Sequence, residues 1–268
     1  MNMGPSVQNI IRKVQVNIPF RMLDDSHLDR FLEHGLNPEI GIDAAALDGF
    51  SFVDFKRIGK IFHDNGLTVT LHGPFIDLSA GSTDPAVRAL TRNRFEQLLK
   101  VVPVFRPKTV VCHAGYDWRR YGYFKSHWLE NCLETWSWLA NSLGQHGVRL
   151  MLENVYEEEP EDIRVILDRL KNPNVGCCLD CGHLSAFGNS DLKVWLASIG
   201  PYIGQLHLHD NHGKTDEHLA LGSGTFDFGL LFTYLKLNNN SPPIISLEPH
   251  QEGDLWPSLA YLAEIWPW

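Results

Sequence analysis

Side chains that can bind a metal ion end six successive apolar runs of this sequence. In chain order they are His72, His113, Glu153, Asp180, His207 and Glu248. Imidazole nitrogens and carboxylate oxygens are the ligands that zinc, manganese, iron and cobalt accept in proteins. A single histidine in such a place is more often a hydrogen-bonded or surface side chain. Chance does not account for six in succession, so the pattern predicts a metal site.

A further pair of candidate ligands lies in the segment after His207. Asp216 and His218 are separated by one residue, and this spacing places both side chains on the same side of an extended segment. The alternative is a flexible, solvated loop, which is where such polar segments usually belong. We treat the pair as candidate metal ligands.

The apolar runs that carry these residues have the length of β-strands. Eight such runs are separated by segments with helical spacing. The predicted strands are Val14–Ile18, Glu39–Ile42, Leu67–His72, Thr109–His113, Arg149–Glu153, Val175–Asp180, Gly204–His209 and Ile244–Glu248. Three of the predicted helices are Phe52–Asn65, Pro85–Val104 and Trp128–Gln145, with Asp84 as the N-cap of the second.

Alternation of strands and helices predicts a parallel sheet, and eight such units close into a single (β/α)8 TIM barrel over residues 1–268. An open, doubly wound sheet would usually carry a glycine fingerprint after its first strand. The sequence there reads Asn17-Ile-Pro-Phe20 and contains no glycine. In a barrel the carboxyl ends of all strands meet at one face, so the six candidate ligands should converge there.

Composition narrows the class of protein further. The 268 residues are 44% hydrophobic and 21% charged, as in a globule with a sizeable core. No apolar run approaches the roughly 20 residues of a membrane span, and no secretory signal is evident. Five cysteines and no signal suggest a reducing compartment, so we expect a cytoplasmic protein. The net charge of −9 disfavours broad nucleic-acid binding.

These residues resemble the motifs of the xylose isomerase-like superfamily, which contains sugar isomerases and epimerases as well as endonuclease IV. The likeness covers about Val14 to Glu248. The motifs that carry it are His72-Gly-Pro, His113-Ala-Gly, Glu153-Asn, Asp180-Cys-Gly-His183, His207-Leu-His-Asp, Asp216-Glu-His218 and Glu248.

Resemblance to the sugar isomerases and epimerases implies a core of four ligands. The matching residues are Glu153, Asp180, His207 and Glu248. In that branch the two glutamates exchange a proton at the carbon next to the carbonyl, while the metal polarises the oxygens. His183 would then contact a substrate hydroxyl. The catalytic residues implied in this way are Glu153, Glu248 and His183.

Resemblance to endonuclease IV implies instead a centre of three zinc ions with nine ligands. They match His72, His113, Glu153, Asp180, His183, His207, Asp216, His218 and Glu248. Glu153 would bridge two of the ions. Such a cluster activates a hydroxide and neutralises a leaving phosphate oxygen.

The loops expected at the barrel mouth favour a small substrate over DNA. The nuclease branch inserts basic and aromatic side chains into DNA, whereas the loop after the second strand here reads Asp43-Ala-Ala-Ala-Leu-Asp48. Trp118 and Arg119 suit one phosphate or one sugar ring. We name them as candidate substrate contacts, together with His209 and His250, which share the inward parity of His207 and Glu248.

The sequence thus predicts a metal-dependent barrel enzyme that isomerises or epimerises a small sugar or sugar phosphate. An endonuclease IV-like phosphoester hydrolase is the alternative, and a metal-binding barrel without catalysis is the third. Zinc is the first expectation for the metal, with up to three ions; manganese, iron or magnesium are alternatives. DNA is disfavoured as a partner without being excluded, no membrane partner is expected, and a homodimer is left open.

Overall fold

Eight parallel strands form a closed barrel in which each strand pairs with its neighbours in the sequence, and β8 closes on β1. The computed structural model describes residues 5–238 and 241–268; residues 1–4, 239 and 240 of the predicted domain lie outside the described residues. The strands are β1 (Gln15–Pro19), β2 (Asn37–Gly41), β3 (Thr70–His72), β4 (Thr109–His113), β5 (Arg149–Glu153), β6 (Val175–Asp180), β7 (Ile203–Leu208) and β8 (Ile244–Leu247). The predicted (β/α)8 TIM barrel is confirmed.

Helices follow the strands and surround the barrel. They are α1 (Pro5–Ile11), α2 (Phe20–Met22), α3 (Leu28–His34), α4 (Ala44–Gly49), α5 (Phe52–Asp64), α6 (Pro85–Phe105), α7 (Trp118–Tyr121), α8 (Lys125–Gly144), α9 (Pro160–Leu170), α10 (Cys181–Phe187), α11 (Leu192–Ile199), α12 (Phe228–Asn238) and α13 (Glu252–Ile265). None of the helices in the described ranges has both the length and the apolar character that a membrane span requires.

The strands alternate between two environments. Outward side chains such as Leu71, Val110 and Leu179 belong to the main hydrophobic core between barrel and helices. Inward side chains form a separate small cluster of Val111, Met151 and Cys178. Because the side-chain period of a strand is two residues, the polar residues two positions further along β4, β5 and β6 also point into the barrel. This periodicity carries the metal-ligand candidates to the mouth.

Local signals account for where most predicted elements begin. Asp84 caps α6 as predicted, since its carboxylate accepts a hydrogen bond of 2.8 Å from the Ala86 amide. Predicted strand ends differ by a few residues: β3 is shorter than predicted and begins at Thr70, while β7 and β8 end before His209 and Glu248. Helix α8 begins three residues earlier than predicted, directly after a helical turn.

Candidate metal centre

Three carboxylates, which end β5 and β6 or directly follow β8, surround one imidazole nitrogen of His207 on β7. Nδ1 of His207 lies 3.0 Å from Oε1 of Glu248, 3.5 Å from Oε1 of Glu153 and 3.8 Å from Oδ2 of Asp180. Glu153, Asp180 and His207 are each no more than 1% exposed. Three carboxylates gathered in the protein interior repel one another unless a cation lies among them.

The contacts of the two ring nitrogens of His207 show whether a metal ion fits this four-residue core. Among the described residues, neither ring nitrogen of His207 makes a hydrogen bond of normal geometry, although carboxylate oxygens lie within 3.0 Å of both. Buried polar atoms are rarely left in that condition. Donor atoms that converge without bonding to each other are the arrangement expected of ligands, so the residues fit a divalent ion.

A second group of ligand atoms lies on the other side of Glu153. Its Oε2 atom is 3.0 Å from Nε2 of His72 and 3.7 Å from Nε2 of His113. These two histidines end β3 and β4, and β4 pairs with β5. The centroids of their rings are 5.1 Å apart. Glu153 therefore presents one carboxylate oxygen to each group.

A third group joins α10 to the long loop after β7. Oδ2 of Asp216 lies 3.4 Å from Nε2 of His183 and 3.0 Å from Nε2 of His218. His218 has a φ of 51°, a left-handed conformation that costs energy in a non-glycine residue and is concentrated at functional sites. The structure thus brings all nine sequence-predicted ligands together in three adjoining groups.

His209 lies deeper in this centre than a substrate contact would. It is 1% exposed, and its Nε2 atom lies 3.1 Å from Oδ1 of Asp180. Its ring stacks on His218 at 3.7 Å, and His218 stacks on His250 at 3.5 Å. His250 is exposed and lines the cavity at the outer end of this stack, so it remains a candidate substrate contact.

Sequence reasoning missed Glu39, a fully buried carboxylate on β2. Its Oε1 atom lies 2.8 Å from Nε2 of His207, opposite the nitrogen that faces the four-ligand core. Its Oε2 atom accepts hydrogen bonds from Thr70 at 2.9 Å and Gln205 at 2.5 Å. A carboxylate behind a ligating imidazole fixes the tautomer and raises the basicity of the ring. The signal available in the sequence was a charged residue at the start of the predicted strand Glu39–Ile42.

Burial and charge act in opposite directions on the carboxylates of this centre. Burial by itself raises the pKa of Glu153, but the charges of His207 and His113 outweigh it and hold the pKa well below its ordinary value. Burial also raises the pKa of Glu248, and there the nearby Asp180 and Glu153 add to the effect. The two glutamates therefore sit in different electrostatic environments although both face His207.

A cavity of about 520 Å³ opens above the centre and is lined by His72, His113, Glu153, His183, Asp216 and Glu248 together with Phe75, Tyr156 and other apolar side chains. Phe75 stacks on His113 with 4.2 Å between ring centroids. Among the described residues, no lysine or arginine lines this cavity. Trp118 and Arg119 lie outside its wall, where both contact Glu158.

The chain is similar in sequence to a known protein family. Residues 38–265 match the family model described as "Xylose isomerase-like TIM barrel". The chain belongs to this family. Two relatives from Methanocaldococcus jannaschii, the uncharacterized proteins MJ1311 and MJ1614, are each 30% identical to it over 167 and 206 residues. Those matches cover 60% and 74% of this chain, but 57% and 78% of the relatives.

Three solved structures superimpose over nearly the whole chain. The TTHB071 protein from Thermus thermophilus, soaked with ZnCl2, is 28% identical with a TM-score of 0.80, covering 95% of this chain and 98% of that one. A D-tagatose 3-epimerase-like protein is 26% identical with a TM-score of 0.79, covering 94% and 96%. The D-psicose 3-epimerase from Clostridium cellulolyticum H10, at 18% identity and a TM-score of 0.72 over 95% and 90%, shares the fold.

Proposed function

We propose that this protein is a metal-dependent enzyme that isomerises or epimerises a sugar by proton transfer at the carbon next to the carbonyl. The observation that carries the proposal is the placement of Glu153 and Glu248. Glu153 ends β5 and Glu248 directly follows β8, and each has an oxygen within 3.5 Å of the same nitrogen of His207. Two carboxylates on one centre, facing one cavity, can remove and return a proton on a sugar bound between them.

Held by Glu153, Asp180, His207 and Glu248, a divalent ion would supply Lewis-acid polarisation of the substrate oxygens and so would acidify the neighbouring carbon. The chain supplies the remaining steps. One glutamate, ionised at the start, takes the proton from the carbon, and the other, protonated at the start, donates its own proton to that carbon. His183, which lines the cavity, hydrogen-bonds a substrate hydroxyl. The mixed imidazole and carboxylate donor set suits zinc first, and also manganese, iron or, less well, magnesium.

Family membership and the cavity wall both support a sugar substrate. The D-tagatose 3-epimerase-like protein is similar over 94% of the chain. Within the described residues, the absence of lysine and arginine from the main cavity favours a neutral sugar over a phosphorylated one at this point.

The five cysteines are buried free thiols, which suits the cytoplasmic location expected from the sequence.

Phosphoester hydrolysis is the second candidate, and one observation favours it. All nine residues that an endonuclease IV-like centre needs are together, with Glu153 placed between two groups and Asp216 between His183 and His218. Three ions in this arrangement would activate a hydroxide and neutralise a leaving oxygen.

Substitution separates the two candidates. The zinc- and manganese-loaded protein is assayed against aldoses, ketoses and their phosphates by NMR, and against abasic DNA and small phosphodiesters. Glu153→Gln should abolish turnover under both proposals. Glu158→Gln, at a half-buried glutamate outside the cavity wall, is the matched control and should not. Asp216→Ala and His218→Ala should leave isomerisation largely intact but abolish hydrolysis. Hydrolysis without isomerisation would overturn the first proposal.

A further inference from the structure

A second cavity lies beside the metal centre and shares a wall with the first. It has a volume of about 230 Å³. The residues that line both cavities are Pro74, Phe75, Ile76, His113, Val155 and Tyr156. The two cavities therefore adjoin on the Phe75 side of the metal centre.

Aromatic rings and polar groups both line the buried side of this second cavity. Trp136 and Tyr121 are 1% and 8% exposed, so they form a buried apolar surface. Ser79 is also buried there, and its hydroxyl accepts a hydrogen bond from the Tyr121 hydroxyl at 2.9 Å. Within the described residues, the Trp136 indole nitrogen has no hydrogen-bond partner, although buried indoles usually have one.

Charged groups of both signs lie on the outer wall. Arg120 lines the cavity and stacks over the Tyr121 ring at 5.6 Å, and it forms no ion pair with the described residues. Asp77 and Asp117 also line this cavity. One arginine against two aspartates does not favour an anion. Hydroxyl groups, however, accept from a guanidinium and donate to a carboxylate at the same time.

We propose that this second cavity is a subsite for a second sugar unit, so that the preferred substrate is a glycosylated ketose rather than a free monosaccharide. The inference rests on the proposed sugar activity of the metal centre. A sugar ring has carbon–hydrogen faces that contact aromatic side chains and an edge of hydroxyls for charged groups, and the wall offers both. The reacting unit lies over the metal centre, and its substituent passes between Phe75 and Tyr156.

Two neighbouring arginines provide a matched pair of variants. Arg120 lines the second cavity, whereas Arg119 is 57% exposed and pairs with Glu158 at 3.4 Å outside it. Both residues are arginines on the short helix α7, so each substitution to alanine removes one positive charge from the same segment. Trp136→Phe removes the indole N–H and keeps an aromatic ring at the buried position. Thermal unfolding verifies that each variant is folded.

Steady-state kinetics of the metal-loaded protein on fructose, maltulose and isomaltulose test the proposal. The wild type should have a higher kcat/KM on one of the two disaccharides than on fructose. Arg120→Ala should lower that value about tenfold, and Trp136→Phe about fivefold, with fructose unchanged. Arg119→Ala should match the wild type on all three sugars. Equal losses on fructose and the disaccharides, or no loss in Arg120→Ala, would overturn the subsite.

Binding measured without turnover separates this inference from the proposed reaction. Saturation-transfer NMR and calorimetry follow maltulose binding to the zinc-loaded protein. If no sugar is turned over but Arg120→Ala weakens maltulose binding about tenfold and Arg119→Ala does not, the subsite stands and the isomerase proposal fails. If maltulose does not bind, or binds equally to both variants, the subsite is wrong whatever the activity.

Discussion

Replacement of Glu39 by glutamine should weaken metal binding while leaving the barrel folded. Its Oε1 atom faces Nε2 of His207 at 2.8 Å, and its Oε2 atom accepts from Thr70 and Gln205. Gln205 in turn accepts from the Thr109 hydroxyl at 2.6 Å. After the substitution, Gln205 can turn its amide and both threonine hydroxyls can act as acceptors. The new amide is then partnered, and the change is confined to the charge behind His207.

The magnitude follows from the charge that is removed. The close contact of His207 with a carboxylate becomes a contact with a neutral amide, a loss of about 1–1.5 kcal/mol. The dissociation constant for zinc should therefore rise about tenfold, at the lower end of the effects seen for residues behind metal ligands. Competition against a chromophoric chelator measures it, and the absorption spectrum of the cobalt-loaded protein reports whether the ligand geometry is kept.

Thr70→Val is the matched control for Glu39→Gln. It removes a neutral donor to the same carboxylate and leaves the contact between Glu39 and His207 in place. Its zinc affinity should stay within about threefold of the wild type. Wild-type affinity in Glu39→Gln, or an equal loss in both variants, would refute the role of Glu39 in tuning His207.

Three further predictions concern stability. Burial raises the pKa of Glu157 to about 7 from 4.5, so the folded chain keeps a proton across that window that the unfolded chain has lost. The stability of the wild type relative to Glu157→Gln should therefore fall by about 3 kcal/mol as the pH rises through it, measured by urea unfolding at both ends; a constant difference would contradict this. A Cβ at Gly182 would collide with the His209 ring, whereas one at Gly229 would make an ordinary 3.4 Å contact. Gly182→Ala should thus lose about 1–3 kcal/mol in urea unfolding, and Gly229→Ala should not. Chelation of a metal held at about a hundred times its dissociation constant should cost about 3 kcal/mol of stability, and an unchanged melting temperature would argue against a bound ion.

The sequence predicted the parts of this protein that depend on short-range periodicity. Strands β4, β5 and β6 have the predicted bounds because their apolar runs end sharply at a ligand-type residue. Their ligands converge since parallel strands in a barrel share one carboxyl end. The nine predicted ligands could be found together because each is on a strand end or in one short motif after it.

Residues whose role depends on contacts across the barrel could not be predicted in that way. Glu39 lies at 0% exposure in the middle of β2 and meets His207 from another strand far along the chain. Arg120 rather than Arg119 lines a cavity because the turn of α7 decides which of two adjacent arginines faces inward. The two-residue period of the strand predicts that His209 points inward like His207. Only the contact with Asp180 in the structure places it inside the metal centre.

Hydrogen exchange at the substrate carbon tests the central claim most directly. The metal-loaded protein is incubated in D2O with aldoses, ketoses and maltulose, and proton NMR follows the carbon next to the carbonyl. We expect deuterium at that carbon in the wild type and in Glu158→Gln, and none in Glu153→Gln or after chelation. A metal-saturated protein that exchanges no proton on any of these sugars, yet cleaves a phosphodiester, would contradict the central claim.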